Sequence, residues 1–180
     1  MKYTCRDAAT EVKFSADTGC FEGYAALFAH SEAGADSVND MILPGAFAAS
    51  LQVLEREKRV PPMLWQHDAK EPIGVWRVIR EDRHGLFVKG ELFIEDIPRA
   101  REAYRLLKEK VVTGLSIGYR AIASKRDEKT GLRQLASIEL IEISLVTFPA
   151  NSGARVSRVK SSGDDLTAIR ELTSLIRNLT

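Results

Sequence analysis

Cysteine is nearly absent: Cys5 and Cys20 are the only two in 180 residues, and no CxxC pair occurs. That rules out a disulfide-stapled mini-domain and the common zinc ribbons. No secretory signal pattern precedes them, so both are expected as reduced thiols in a cytoplasmic setting. No apolar run approaches the ~20 residues of a membrane-spanning helix. Charge of neither sign dominates: 26 Lys and Arg oppose 25 Asp and Glu, for a net charge of +1. Bulk attraction to nucleic acid or to an anionic membrane is therefore not expected. There are three histidines, and His30, His67 and His84 stand at spacings that fit no metal site. Internal repeats, a Walker loop, a GxGxxG turn and RNA-binding aromatic motifs are also missing, and no cofactor is expected.

What remains is ordinary globular composition, with 44% hydrophobic and 28% charged residues. The length suits one domain that buries a core without staples. Residues 11–16 and 20–28 read as strands joined by a turn at Asp17-Thr18-Gly19, with Phe21, Gly23, Ala25 and Leu27 on one face. Residues 30–40 (HSEAGADSVND) have no period and form a loop, with His30 a surface residue in it. Pro44 opens a helix whose stripe is Phe47, Leu51 and Leu54 and which ends near Lys58. Pro61 and Pro62 precede a short strand, Met63 to Gln66, that ends at His67. Residues 72–80 and 85–93 form a hairpin turning at 82–84, which makes His84 a turn residue. A second helix covers 97–110, with Ala100, Ala103, Tyr104, Leu107 and Val111 inward. Strands at 114–123 and 132–148 follow. Leu166, Ile169, Leu172, Ile176 and Leu179 then mark an amphipathic C-terminal helix that packs on this domain or on a second copy.

The chemistry concentrates in the last two strands. In Gly114-Leu115-Ser116-Ile117-Gly118-Tyr119-Arg120, strict alternation puts Leu115, Ile117 and Tyr119 on an apolar inward face. Ser116 falls on the other face with a glycine two residues away on each side, which leaves it clear for an extended chain to lie beside it. Residues 138–146 are apolar on both faces and are expected to be buried on both. Glu139 and Glu142 interrupt them and, three apart, point to opposite sides. A buried carboxylate is costly unless paired, so at least one should meet a cation or an imidazole. A serine, a histidine and a glutamate on or at the ends of strands suit nucleophilic acyl transfer. The hydroxyl needs a base, and the base needs a carboxylate to hold its tautomer.

The segments around these residues carry a more specific signal. GYAALF, ILPGAF, LWQHD followed by PIG, GLSIGYR, and EISLVTFPAN followed by ARV occur in that order over roughly residues 20–156. The ordered set resembles the prohead (capsid maturation) serine proteases of tailed phages. The loop before ILPGAF is longer here than is usual in that family. The resemblance implies a mainly β fold with flanking helices: a compact antiparallel β-barrel of the herpesvirus-protease type over residues 10–160, with residues 161–180 as the C-terminal helix. It implies a catalytic His67 and Ser116, with Glu142 as third member and Glu139 as its near competitor. Oxyanion donors would come from the Ile117 amide and the Asn151–Arg155 loop. The implied substrates are the scaffolding segment of the major capsid protein and the protease's own precursor. The implied setting is the assembling procapsid in the host cytoplasm, with a homo-oligomer expected. Two other classes remain: a non-catalytic assembly or scaffold module that keeps the fold, and a metal-dependent hydrolase using the three histidines.

Overall fold

A computed structural model describes residues 17–28 and 40–161. The expected strand at 11–16, the loop with His30 and the C-terminal helix lie outside them. The elements run β1 (Asp17–Leu27), β2 (Asp40–Ile42), α1 (Ala48–Arg56), β3 (Met63–Trp65), β4 (Asp68–Glu81), β5 (Gly85–Leu92), α2 (Pro98–Lys108), β6 (Gly114–Arg126), β7 (Arg133–Val146) and β8 (Val156–Ser161).

The strand β7 organises the sheet. Its whole length pairs antiparallel with β6, from Gly114↔Val146 to Arg126↔Arg133. Its other flank is covered in sections. β2 pairs parallel with residues 133–135 and β3 pairs parallel with residues 143–145. Between them the chain detours through α1, and the detour still supplies acceptors. Ile138 N–H donates to Ala46 O at 3.0 Å and Leu140 N–H to the Ser50 hydroxyl at 2.9 Å. A buried backbone donor without a partner is costly, and this patchwork accounts for the flank.

The sheet continues from β3 through β4, β5 and β1 to β8. The pairs β3–β4, β4–β5, β5–β1 and β1–β8 are antiparallel. This corrects the expected antiparallel barrel in two ways. The sheet is mixed, and it is not closed. One bridge, Gly114↔Arg155, with Leu115 N–H to Ala154 O (2.9 Å) and Val156 N–H to Thr113 O (2.8 Å), joins β6 to the chain leading into β8. Beyond it the ladder stops, and β6 runs on paired only with β7, its residues 120–126 largely exposed.

The core fills the inside of this curve with Phe21, Met63, Ile73, Trp76, Leu86, Val88, Leu115, Ile143 and Leu145, each at most 2% exposed. The first helix stripe is as read, with Phe47 and Leu54 buried. In α2 the alanines at 100 and 103 bring the helix close, beside Tyr104 and Leu107, but Val111 lies past its end and is exposed. The segment at Asp17-Thr18-Gly19 is the start of β1 rather than a turn. β7 differs from the reading too: residues 142–146 are buried throughout, but Glu139 and Ile141 face out.

Candidate active site

His67 sits where β3 folds back on β4. Trp65 pairs with Asp68, so Gln66 and His67 are the two central residues of the turn, and both have positive φ, 54° and 62°. That is the geometry of a two-residue hairpin turn whose twist matches the strands. Neither residue is glycine, so the turn stores strain that its neighbours must offset. Gln66 N–H donates to Leu145 O at 2.9 Å. Its side chain makes reciprocal bonds to Thr147: Nε2 to Oγ1 at 2.9 Å, and Thr147 N–H to Oε1 at 3.3 Å. The turn is thereby fastened to the end of β7, and the imidazole is carried over that strand.

There it meets Glu142. His67 Nδ1 lies 2.6 Å from Glu142 Oε1. The carboxylate is mostly enclosed, its side chain 10% exposed, and the imidazole is 43% exposed. The hydrogen bond to Glu142 raises the His67 pKa above its ordinary value, and the carboxylate's charge adds to this against the opposing effect of burial. With Nδ1 engaged by a carboxylate, the free basic nitrogen is Nε2. Ser144, two residues along the same face of β7, donates its hydroxyl to Glu142 Oε2 at 2.5 Å and accepts from His67 N–H at 3.3 Å.

Ser116 lies on the neighbouring strand. It is opposite Ser144, and Gly118 is opposite Glu142. Partners across an antiparallel pair share a face, so Ser116, Ser144 and Glu142 lie on one face of the β6–β7 pair. No hydrogen bond links Ser116 to His67 among the described residues. Such bonds are often long without substrate and tighten in the complex. Ser116 is 6% exposed, more enclosed than an open strand face would leave it. The glycine at 118 also has a different job from the one read in the sequence. A Cβ there would fall 2.9 Å from Glu142 Cγ and 3.0 Å from Cδ, so its absence makes room for the carboxylate. Gly114 is shaped by Val146 and Pro149 instead.

The competing carboxylate is elsewhere. Glu139 is on the exposed face and pairs with Arg120 at 2.8 Å, both side chains open to solvent. Both glutamates are therefore paired, one with an imidazole and one with a cation. His84 lies in the β4–β5 turn, at the opposite end of β4 from His67, where its backbone N–H donates to Asp82 Oδ1 at 2.9 Å. Among the described residues no three His, Cys, Asp or Glu side chains gather as metal ligands. The Asn151–Arg155 loop is tied against β6 by Leu115 N–H and by Arg155 Nη1 to Thr113 Oγ1 at 3.1 Å. Leu115 N–H points at this loop. By strand alternation Ile117 N–H points to the same edge, away from β7.

Sequence reasoning passed over Ser144. Its signal was the i, i+2 spacing Glu142-x-Ser144, which puts both side chains on one face of a strand.

A histidine held by a carboxylate, with a serine on the adjoining strand of a mainly β scaffold, fits the chemistry and architecture of serine proteases. The comparison with known proteins narrows this. A family model for the caudovirus prohead serine protease matches residues 7–168, and the chain belongs to that family. It is 34% identical over 176 residues to the prohead protease of Enterobacteria phage HK97, covering 94% of this chain and 73% of that protein. Among solved structures, the bacteriophage T4 capsid assembly protease matches with a TM-score of 0.52 at 7% identity, over 71% of this chain and 82% of that one. The KSHV protease, solved with a hexapeptide phosphonate inhibitor, matches with a TM-score of 0.50 at 12% identity, over 76% and 63%. At such identities the likeness is one of fold. The protein is a serine protease of phage prohead maturation.

Proposed function

We propose that Ser116, His67 and Glu142 form the catalytic triad. Ser116 Oγ attacks the scissile carbonyl while His67 Nε2 takes its proton. The ring then returns that proton to the leaving amine, and water repeats the cycle on the acyl-enzyme. Glu142 fixes the tautomer through Nδ1 and supports the imidazolium. The 2.6 Å contact between His67 and Glu142, one strand away from Ser116, is the observation that carries this reading. Ile117 N–H and the Asn151–Arg155 loop border the edge on which the oxyanion would form, and they are the proposed donors. Past Gly114 no described strand pairs with that edge of β6. An extended peptide can add there by backbone hydrogen bonds.

The proposed substrates are the scaffolding segment of the major capsid protein and the enzyme's own precursor. The site of action would be the procapsid assembling in the host cytoplasm, with the protease as a homo-oligomer. The division into a protease domain at 10–160 and a C-terminal segment at 161–180 belongs to the same proposal. No helix among the described residues is long and apolar enough to cross a membrane.

The test is mass spectrometry of the capsid protein co-expressed with this chain or with Ser116→Ala. Defined cleavage products should appear with the first and vanish with the second. The Ser116→Ala protein should lose less than ~1 kcal/mol of stability, because a small side chain is shortened without opening a large cavity. Unchanged products with Ser116→Ala would remove Ser116 as nucleophile. Failure of the unmodified protein to react with a fluorophosphonate would favour a non-catalytic assembly module.

A further inference from the structure

Ser144 is 0% exposed, the most enclosed polar side chain at the site. Its hydroxyl has one proton, and its two partners leave no choice about where that proton goes. The His67 backbone N–H can only donate, so Ser144 Oγ accepts from it at 3.3 Å. The proton is then committed to Glu142 Oε2 at 2.5 Å. Glu142 Oε1 meets His67 Nδ1 at 2.6 Å. These bonds close a ring that runs from the His67 backbone through Ser144 and Glu142 back to the His67 imidazole.

We propose that Ser144 is a positioning residue: it sets the rotation of the Glu142 carboxylate toward Nδ1. This rests on His67 and Glu142 acting as base and orienter. The terminal torsion of a glutamate is broad, so the carboxylate alone would not hold one angle. A donor on Oε2 selects the rotation in which both oxygens are satisfied. Without it, Oε2 becomes a buried acceptor with no donor and the His67 N–H loses its acceptor. A displacement of ~1 Å in such a constellation costs on the order of 10²-fold in rate. Ser144 itself cannot serve as nucleophile, being sealed from substrate with its proton held by Glu142.

The test is a double-mutant cycle on the full chain. It reads the saturating rate at which Ser116 is labelled by a fluorophosphonate, with release of fluoride, as a function of pH. Ser144→Ala should slow labelling ~10- to 100-fold and move the pH midpoint down toward the ordinary histidine value of ~6.5. In a Glu142→Gln background the same change should cost less than ~3-fold, because the group it acts through is already gone. Ser144→Cys keeps the volume and a weak donor and should fall between. If Ser144→Ala does not fold, the cycle runs with cysteine. A wild-type rate for the folded Ser144 variant overturns the proposal. So does an equal loss in both backgrounds with an unmoved midpoint, which is what a purely structural role would give. A wild-type rate for Glu142→Gln alone would remove Glu142 from the triad and the proposal with it.

Discussion

The imidazole of His67 is half exposed, and its bond to Glu142 holds its pKa above the ordinary value. In the proposed triad the base must be neutral to accept the Ser116 proton. Cleavage should therefore rise with pH through a midpoint above ~6.5. The same shift has the opposite sign for stability. A histidine whose folded pKa is raised contributes fully below its unfolded value, and that contribution fades as pH rises through the folded value. Glu142→Gln should lower kcat by ~10² to 10⁴-fold, by analogy with the loss from the equivalent change in the well-studied serine-protease triad. It should also move the pH midpoint down, and its melting-temperature deficit should narrow from pH 6 to pH 9. Glu139→Gln removes only an exposed ion pair with Arg120, worth about 0–1 kcal/mol, and should leave kcat unchanged. The measurement is kcat and Tm for both variants on one peptide substrate. A fully active Glu142→Gln beside an inactive Glu139→Gln would reverse the assignment.

The β3–β4 turn does at the level of an element what Glu142 does for a side chain. Its two central residues carry positive φ without being glycine, and the reciprocal Gln66–Thr147 bonds hold them. Gln66→Ala removes two hydrogen bonds at a partly solvated place, each with a net value of about 0.5–1.5 kcal/mol. We expect ~1–2 kcal/mol lost in urea denaturation, with a several-fold fall in kcat as the imidazole loosens. Unchanged stability and rate would mean that the backbone bonds alone keep the turn. The short strands depend on context in the same way. β2 is three residues long and β8 follows a loop, so neither offers a period to read. Each is a strand because β7 or β1 presents unpaired backbone to it.

Over the whole molecule, Asp40 ties three strands together. It is 2% exposed and accepts from Arg133 Nε at 2.7 Å and from the Tyr119 hydroxyl. Burial disfavours its charge, but these hydrogen bonds prevail and hold its pKa below the usual carboxylate value. Asp40→Asn keeps the shape and leaves Arg133 without its counter-charge, at a cost of about 2–4 kcal/mol, somewhat under that of a fully buried pair because Arg133 is half exposed. Urea denaturation reads this directly, and a loss below ~0.5 kcal/mol would mean that the tie is not needed. Local patterns were enough for the alternation of β6, the stripes of α1 and α2, the β4–β5 hairpin, and the rule that the two glutamates of β7 face opposite ways. Those are the two-residue period of strands, the ~3.6-residue period of helices and local turn signals, set by backbone geometry before any long-range contact forms. The ordered motifs added the family, and with it the proposal of His67 and Ser116. Closure was not legible, because a barrel and an open mixed sheet use the same strands and differ only in which edges meet. The task of Gly118 was not legible either, nor the buried bond of Ser144. Gly118 meets Glu142 from 24 residues away and Ser144 meets the His67 turn from 77 away, and only tertiary packing decides what a carboxylate finds beside it.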